Sequence, residues 1–289
     1  MTADRLHFKT VSKTSMLNKL LSVVFIAVSL TGCGSGGKTE SSAKAQSATR
    51  ASREPPATAL VVSPASPRVP SIISWESVES LPEPIAVFDH VFWEPDDTKS
   101  LRESLRTTDL VQNKSVLEIG TGSGIVSLCC LQAGASKIVA TDVNPWAVRN
   151  AAYNAEVLKF TDRMDVRLVA QNKPQAWSVI GREERFDIIL SNPPWELGHT
   201  TRVEDFALYD PDFRLMKSFV DGLPEHLTPG GRAFLAYGCV TAIRQLQTLL
   251  KKNNLPFRVL DERSLEDLSE TFLPGMLIEI RLHDNFSSP

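Results

Sequence analysis

Residues 116–128 read Val-Leu-Glu-Ile-Gly-Thr-Gly-Ser-Gly-Ile-Val-Ser-Leu, and the rest of the chain can be read outward from them. The run Ser115–Ile119 is strand-like, carries one acid, Glu118, and leads into glycines at alternate positions: Gly120, Gly122 and Gly124. Only glycine lets a ligand meet the backbone at such a turn. Residues from Ile125 onward can begin a helix, whose first N–H groups lack intrahelical partners and face the same ligand. A strand, a glycine loop and a helix in this order form one unit of an α/β nucleotide-binding fold. The spacing is not the dinucleotide pattern. That pattern needs its third glycine one position later, where Ile125 stands.

Composition narrows the class. The 289 residues are 42% apolar and 22% charged, ordinary values for a folded soluble domain. A net charge of −3 gives no reason to expect a broad nucleic-acid-binding surface. Four cysteines (Cys33, Cys129, Cys130 and Cys239) are too few for a disulfide framework at this length. Cys129 and Cys130 are neighbours inside the expected helix and read as small core residues. The five histidines show no metal-ligand spacing, so no metal is expected.

The N-terminal residues 1–33 have the pattern of an export signal. Lys9, Lys13 and Lys19 precede the apolar run Leu20–Leu30, which ends in Leu30-Thr31-Gly32-Cys33. That run is short for a membrane-spanning helix and suits a signal core. Its ending resembles the bacterial lipobox, which implies lipidation at Cys33 and a membrane-anchored lipoprotein. Met16 would serve as a start as well as Met1; an uncleaved anchor or a start-site artefact would instead leave the chain cytoplasmic. Residues 34–70 are rich in Ser, Ala, Gly, Thr and Pro and read as a flexible linker. Residues 71–289 are expected to form one folded domain.

Within that domain the spacing marks further elements. Pro95 sets a turn, and Asp97 or Thr98 can cap a helix through Leu101 and Leu105. Lys137–Thr141 reads as a second buried strand ending at Asp142, about twenty residues past the glycine loop, where a ribose-binding carboxylate is expected. Asn144 and Pro145 then suit an N-cap and a first helical residue, with the helix running to about Leu158. Met164–Val169 reads as a third strand, followed by Gln171 and Asn172. Phe186–Leu190 reads as a fourth and delivers Asn192-Pro193-Pro194-Trp195 to the edge where open α/β sheets bind ligands. The two prolines lock this turn and leave carbonyls without competing local donors. The Asn192 side-chain oxygen and the Pro193 carbonyl can then both accept from one –NH2 group, and Trp195 can stack on a flat amide or base. Such a site suits a planar nitrogen nucleophile. Downstream, Phe213–His226 reads as an amphipathic helix, and Pro229-Gly230-Gly231 turns into a strand at Arg232–Tyr237. Another helix runs to about Leu250, and Phe257–Leu260 and Met276–Leu282 read as the last strands. The polar, aromatic loop from Trp195 to Asp212, with His199, Phe206 and Tyr209, is the expected substrate contact.

The glycine loop with its acid resembles motif I of class I S-adenosylmethionine-dependent methyltransferases, and Asn192–Trp195 resembles motif IV of the amino-methyltransferases, [ND]-P-P-[YFW]. Glu94, Pro95, Asp97 and Thr98 resemble the segment that precedes motif I in HemK-like glutamine methyltransferases. The resemblance covers about three-quarters of the chain. It implies a Rossmann-like α/β fold with a seven-stranded, mostly parallel sheet, helices on both faces, and a last antiparallel pair of strands. It implies S-adenosyl-L-methionine as cofactor, with Pro95, Asp97 and Thr98 closing over it near the methionine end and Glu118 ordering the loop and the methionine amino group. Gly120, Gly122 and Gly124 would approach it by their backbone, Asp142 would hold the ribose, and Val143 would flank the adenine. Relatives often place an acid that meets the adenine where this chain has Gln171 and Asn172, a departure from the pattern that leaves Asn172 as the candidate residue there. Asn192, which also borders the cofactor, Pro193, Pro194 and Trp195 would hold the acceptor. Most glutamine enzymes carry Tyr where this chain has Trp195.

Two acceptors are compatible with this pattern: protein glutamine, or an adenine or guanine amino group in nucleic acid. A third expectation follows from the lipobox. S-adenosylmethionine is made in the cytoplasm, so an exported domain would be parted from it and could serve as a tethered, inactive binding protein. Oligomeric state is not legible.

Overall fold

The computed structural model describes residues 70–283. The signal reading, the Cys33 lipidation and nearly all of the 34–70 linker fall outside the described residues.

The described chain opens with an antiparallel pair, β1 (Ile72–Glu76) and β2 (Ile85–Phe88). The sequence reading had no strands here. Its outer strand leaves Ile73 and Trp75 exposed, whereas β2 is wholly buried. A turn of 3-10 helix at Pro95–Thr98 leads into α1 (Lys99–Thr107). Then β3 (Ser115–Ile119), α2 (Ile125–Gln132), β4 (Lys137–Asp142), α3 (Pro145–Val157) and β5 (Met164–Leu168) form the first half of the sheet. The second half is β6 (Phe186–Ser191), α4 (Arg214–His226), β7 (Leu227–Cys239), α5 (Val240–Lys252), β8 (Phe257–Val259) and β9 (Thr271–Ile280).

Seven strands make one sheet in the order β5-β4-β3-β6-β7-β9-β8, parallel except for β9, which is antiparallel to both neighbours. The expected α/β architecture, including the reversed strand near the C-terminus, is what forms. β3 and β6 lie side by side, yet the chain leaves them in opposite directions, toward β4 and toward β7. This is the switch point at which open α/β sheets hold ligands beyond the carboxyl ends of the strands.

The two faces of the sheet bury separate apolar clusters, as the alternation along β3 requires. Leu117 and Ile119 join α4 and α5 on one face, while Val116 joins α1, α2 and α3 on the other. α2 is buried on every side but its last residue, and Cys129 and Cys130 sit within that core as read. α3 begins as its sequence dictates: Asn144 caps it by accepting from the Trp146 N–H at 2.9 Å, with Pro145 in the first turn.

Some boundaries differ for identifiable reasons. β7 begins at Leu227, upstream of the expected Arg232, because Pro229–Gly231 is absorbed as an irregularity against β6 and does not break the strand. β9 begins at Thr271, five residues earlier than expected, since Phe272 and Leu273 already run beside the end of β7. Neither Asp97 nor Thr98 caps α1 with its side chain. Thr98 instead donates to the Pro95 carbonyl at 3.3 Å and accepts from Arg102 Nε at 3.3 Å. Phe213 stands outside α4 in the left-handed conformation, beside Asp212 in the same region.

Candidate cofactor and acceptor site

At the carboxyl end of β3 the three glycines all have positive φ, at 79°, 56° and 87°. They do different work. A Cβ added at Gly120 or Gly122 would meet nothing within 4 Å, so their faces open onto free space. A Cβ at Gly124 would lie 3.1 Å from Ala151, so this glycine lets the loop pack on α3. The loop is pinned by its neighbour strand, the Gly120 and Thr121 N–H groups both donating to the Thr141 carbonyl. Glu118 is buried beneath it and accepts from Thr121 Oγ1 at 2.7 Å, from the Ser127 N–H at 3.1 Å and from the Ser127 hydroxyl. Burial pushes the Glu118 carboxyl up to about 7, with Asp142 adding to the rise and these hydrogen bonds opposing it. These bonds tie Glu118 to both ends of the loop.

Asp142 ends β4 beside it. One carboxylate oxygen accepts from the Gly122 N–H at 2.8 Å and the other from the Asn144 N–H at 2.8 Å. Burial raises its pKa. The Val143 N–H also bonds this carboxylate, and its remaining acceptor capacity can serve a ribose hydroxyl. Next to it lies a cavity of about 360 Å³ lined by Val143, Pro145, Leu168, Val169, Ala170, Gln171 and Asn172. Leu168 is half exposed and faces that slot, which explains an apolar residue left open to water. The structure thus brings Val143 and Asn172 together in the lining of one cavity.

Asp97 and Thr98 are buried and pack against the start of β9, where a Cβ on Gly275 would come within 2.8 Å of the Asp97 carbonyl. Arg102 anchors this segment. It is buried, and it donates to the Pro95 carbonyl at 3.0 Å and to Glu79 at 3.3 Å. No sequence signal marked Arg102; its position one turn after Thr98 on a polar-looking helix hid a buried guanidinium.

Ser191, at the end of β6, donates through Oγ to the Ile119 carbonyl at 2.7 Å, fastening the acceptor turn to the base of the glycine loop. Asn192 and Pro194 are partly exposed and Pro193 is buried. Trp195 departs from expectation. The residue is only 8% exposed, belongs to the apolar cluster of the sheet and has the benzo edge of its ring wedged against Gly238, so little of it is open for stacking on an acceptor. Its indole N–H is shared between Asn192 Oδ1 and the Ala236 carbonyl, each at 3.2 Å.

Beyond Trp195 the loop folds back on itself, the Glu196 N–H donating to the Leu208 carbonyl and the Glu196 carbonyl accepting from the Asp210 N–H, with Tyr209 packed over Gly198. His199 is exposed, Phe206 and Tyr209 partly so. Asp210 is buried and accepts from the Leu215 and Met216 N–H groups, locking the loop to the start of α4. Glu204 pairs with His90 at 2.8 Å, and His90 stacks on Trp146 with ring centres 5.8 Å apart. This tie between the loop and the cofactor side was not read from the sequence.

The residues present fit S-adenosylmethionine. Open glycine backbone, a diol-binding carboxylate and an apolar slot suit its nucleoside, and Glu118 and Asp142 suit a cationic molecule. Comparison with known proteins agrees. Residues 98–193 match the family model of ribosomal protein L11 methyltransferase. A solved structure from Streptococcus mutans, described as a methyltransferase dependent on the same cofactor, superposes with a TM-score of 0.50 at 16% identity, covering 68% of this chain and 53% of that one; it shows the fold. A release factor glutamine methyltransferase of Cereibacter sphaeroides is 32% identical over 136 residues, 43% of this chain and 46% of that protein. A protein named as an N5-glutamine methyltransferase, from Methanocaldococcus jannaschii, is 31% identical over 155 residues, which is 52% of this chain and 73% of that relative. The chain belongs to the family of that relative, within the class I methyltransferases that use S-adenosyl-L-methionine as cofactor.

Proposed function

We propose that the chain methylates the side-chain carboxamide nitrogen of glutamine in a protein. The observation that carries this reading is the adjacency of two motifs on neighbouring strands. Ile119, which opens the glycine loop, is registered against Ser191, which opens the Asn192–Trp195 turn, and the Ser191 hydroxyl joins them. A methyl donor held on the first turn and a nitrogen held on the second would lie together at the switch point.

Bound S-adenosylmethionine supplies a sulfonium methyl that is already activated. What remains for the protein is alignment. Asn192 Oδ1 and the Pro193 carbonyl accept from the acceptor –NH2, fixing the nitrogen and turning its lone pair out of conjugation. Glu118 and Asp142 keep the glycine loop in one shape. Arg102 keeps the Pro95–Thr98 turn in place. The nitrogen's surplus proton leaves to solvent, and no strong general base is needed. The names of the two glutamine-modifying relatives support a carboxamide over a base, and so does the absence of a net basic charge.

Transfer of radiolabelled methyl groups from S-adenosylmethionine to cell extract tests this. Label that protease releases and nuclease does not supports the proposal; label released only by nuclease places the acceptor in nucleic acid and ends it. A second reading, supported by Leu30-Thr31-Gly32-Cys33, is a membrane tether through Cys33, which competes with the methyl-transfer reading because export parts the domain from cytoplasmic S-adenosylmethionine. Fractionation beside a Cys33→Ala variant decides that part, since identical partitioning excludes lipidation.

A further inference from the structure

Asn192 is the group that reads the acceptor nitrogen, and a side-chain amide has an inherent ambiguity. Its oxygen and its –NH2 have nearly the same shape, so packing alone does not choose between the two orientations. Only one of them accepts from an acceptor –NH2. The other presents a donor to a donor and would favour an oxygen acceptor. Something must settle the choice.

The indole of Trp195 stands where it can. It is donor-only, and its Nε1 lies 3.2 Å from Asn192 Oδ1. In the flipped amide that contact would set N–H against N–H. The indole itself has no freedom to follow. Its second partner is the fixed Ala236 carbonyl on β7, at 3.2 Å. A Cβ on Gly238 would collide with the benzo edge of the ring, and one on Gly275 would come within 3.5 Å of it, so β7 and β9 enclose the ring from two strands. With the residue 8% exposed, this is a donor held by the core of the domain and aimed at the one side chain in the turn whose orientation matters. The bicyclic ring is suited to this. Its N–H projects from the five-membered ring near the backbone while the benzo end fills the slot; a phenol of similar placement carries its hydroxyl at the far end.

We propose that Trp195 is a positioning residue: its buried indole N–H locks the Asn192 amide with oxygen presented, and so sets the site's preference for an acceptor that brings N–H donors. The inference rests on the carboxamide reading above for its acceptor. Oδ1 keeps its second lone pair for the acceptor while the first is held.

A double-variant cycle on the full chain tests it, with a glutamine-containing peptide and radiolabelled S-adenosylmethionine. Trp195→Phe keeps an aromatic ring in the slot and removes the donor. Loss of one hydrogen bond that selects orientation is expected to lower kcat about tenfold, with cofactor affinity changed less than about twofold. In an Asn192→Asp background the carboxylate offers oxygen either way round, so the same Trp195→Phe change is expected to cost less than about twofold. Equal losses in the two backgrounds would mean that Trp195 acts only through packing, and would overturn the proposal. A second measurement needs no acceptor. The indole N–H resonance of Trp195, identified by its absence in Trp195→Phe, should move upfield in Asn192→Ala; an unmoved resonance would overturn the proposal as well. A moved resonance with no transfer to the peptide by the wild type would leave the indole lock standing and sink the glutamine reading instead.

Discussion

The two halves of the site are built differently. The donor half, from Glu118 to Asn172, is made chiefly within one stretch of chain: strand ends, a glycine loop and a helix cap whose bonds mostly join residues of that same stretch. The acceptor half, from Ser191 to Phe213, borrows its shape from afar. Trp195 is held by β7 and β9, Ser191 by β3, and Glu204 by His90. A local site is set by the backbone menu, whereas a long-range one is set by packing between distant elements.

If the halves are functionally separate, a change in one should spare the other. The largest expected effect is that of Asn192→Ala, a loss of transfer of about a thousandfold, as for removal of a charge-aligning hydrogen-bond partner. Steady-state kinetics should place it in kcat.

The donor half should show itself in pH dependence. Folding raises the Glu118 carboxyl from an ordinary value of 4.5 to about 7, so between those values the folded chain binds more protons than the unfolded one. Stability conferred by Glu118 is then greatest at low pH and falls as pH rises through this window, by on the order of 3 kcal/mol in all. Denaturant midpoints across the window should lose this component in Glu118→Gln; a slope unchanged by that substitution would contradict the burial argument.

Legibility follows the same division. Asn144-Pro145 foretold the start of α3, and Glu118 with its three glycines foretold the turn after β3, because each signal acts on backbone within a few residues. Other features had no local signature. β1 and β2 are joined through residues 77–84 and not by a two-residue hairpin turn, and β2 is held by Asn150 and Asn154 of α3, whose side chains bond the Ala86 and Phe88 backbone. In the sequence these asparagines look like ordinary polar positions on a helix. Arg102 is hidden in the same way. The burial of Trp195 depends on Gly238 and Gly275, and nothing near Trp195 announces them.

Smaller effects sharpen the contrast. Gly124→Ala should destabilise the chain by about 1–3 kcal/mol, since its Cβ would press on Ala151 at a φ of 87°. Thermal unfolding would register this, and cofactor affinity should fall with the packing of the loop on α3. His90→Ala should change stability by less than about 1 kcal/mol, as for an exposed pair. It should nonetheless raise the acceptor KM about two- to fivefold by freeing the Glu204 loop. An unchanged KM would mean that the loop does not depend on this tie.

The central claim is that one half holds the cofactor and the other holds the acceptor. Calorimetric titration of the full chain with S-adenosylmethionine tests it most directly, with Asp142→Ala and Asn192→Ala alongside. Saturable binding is expected in the wild type, weakened about a hundredfold by Asp142→Ala, which removes charged hydrogen bonds, and altered less than about twofold by Asn192→Ala. Failure of the folded wild type to bind, or equal weakening in both variants, would contradict the account.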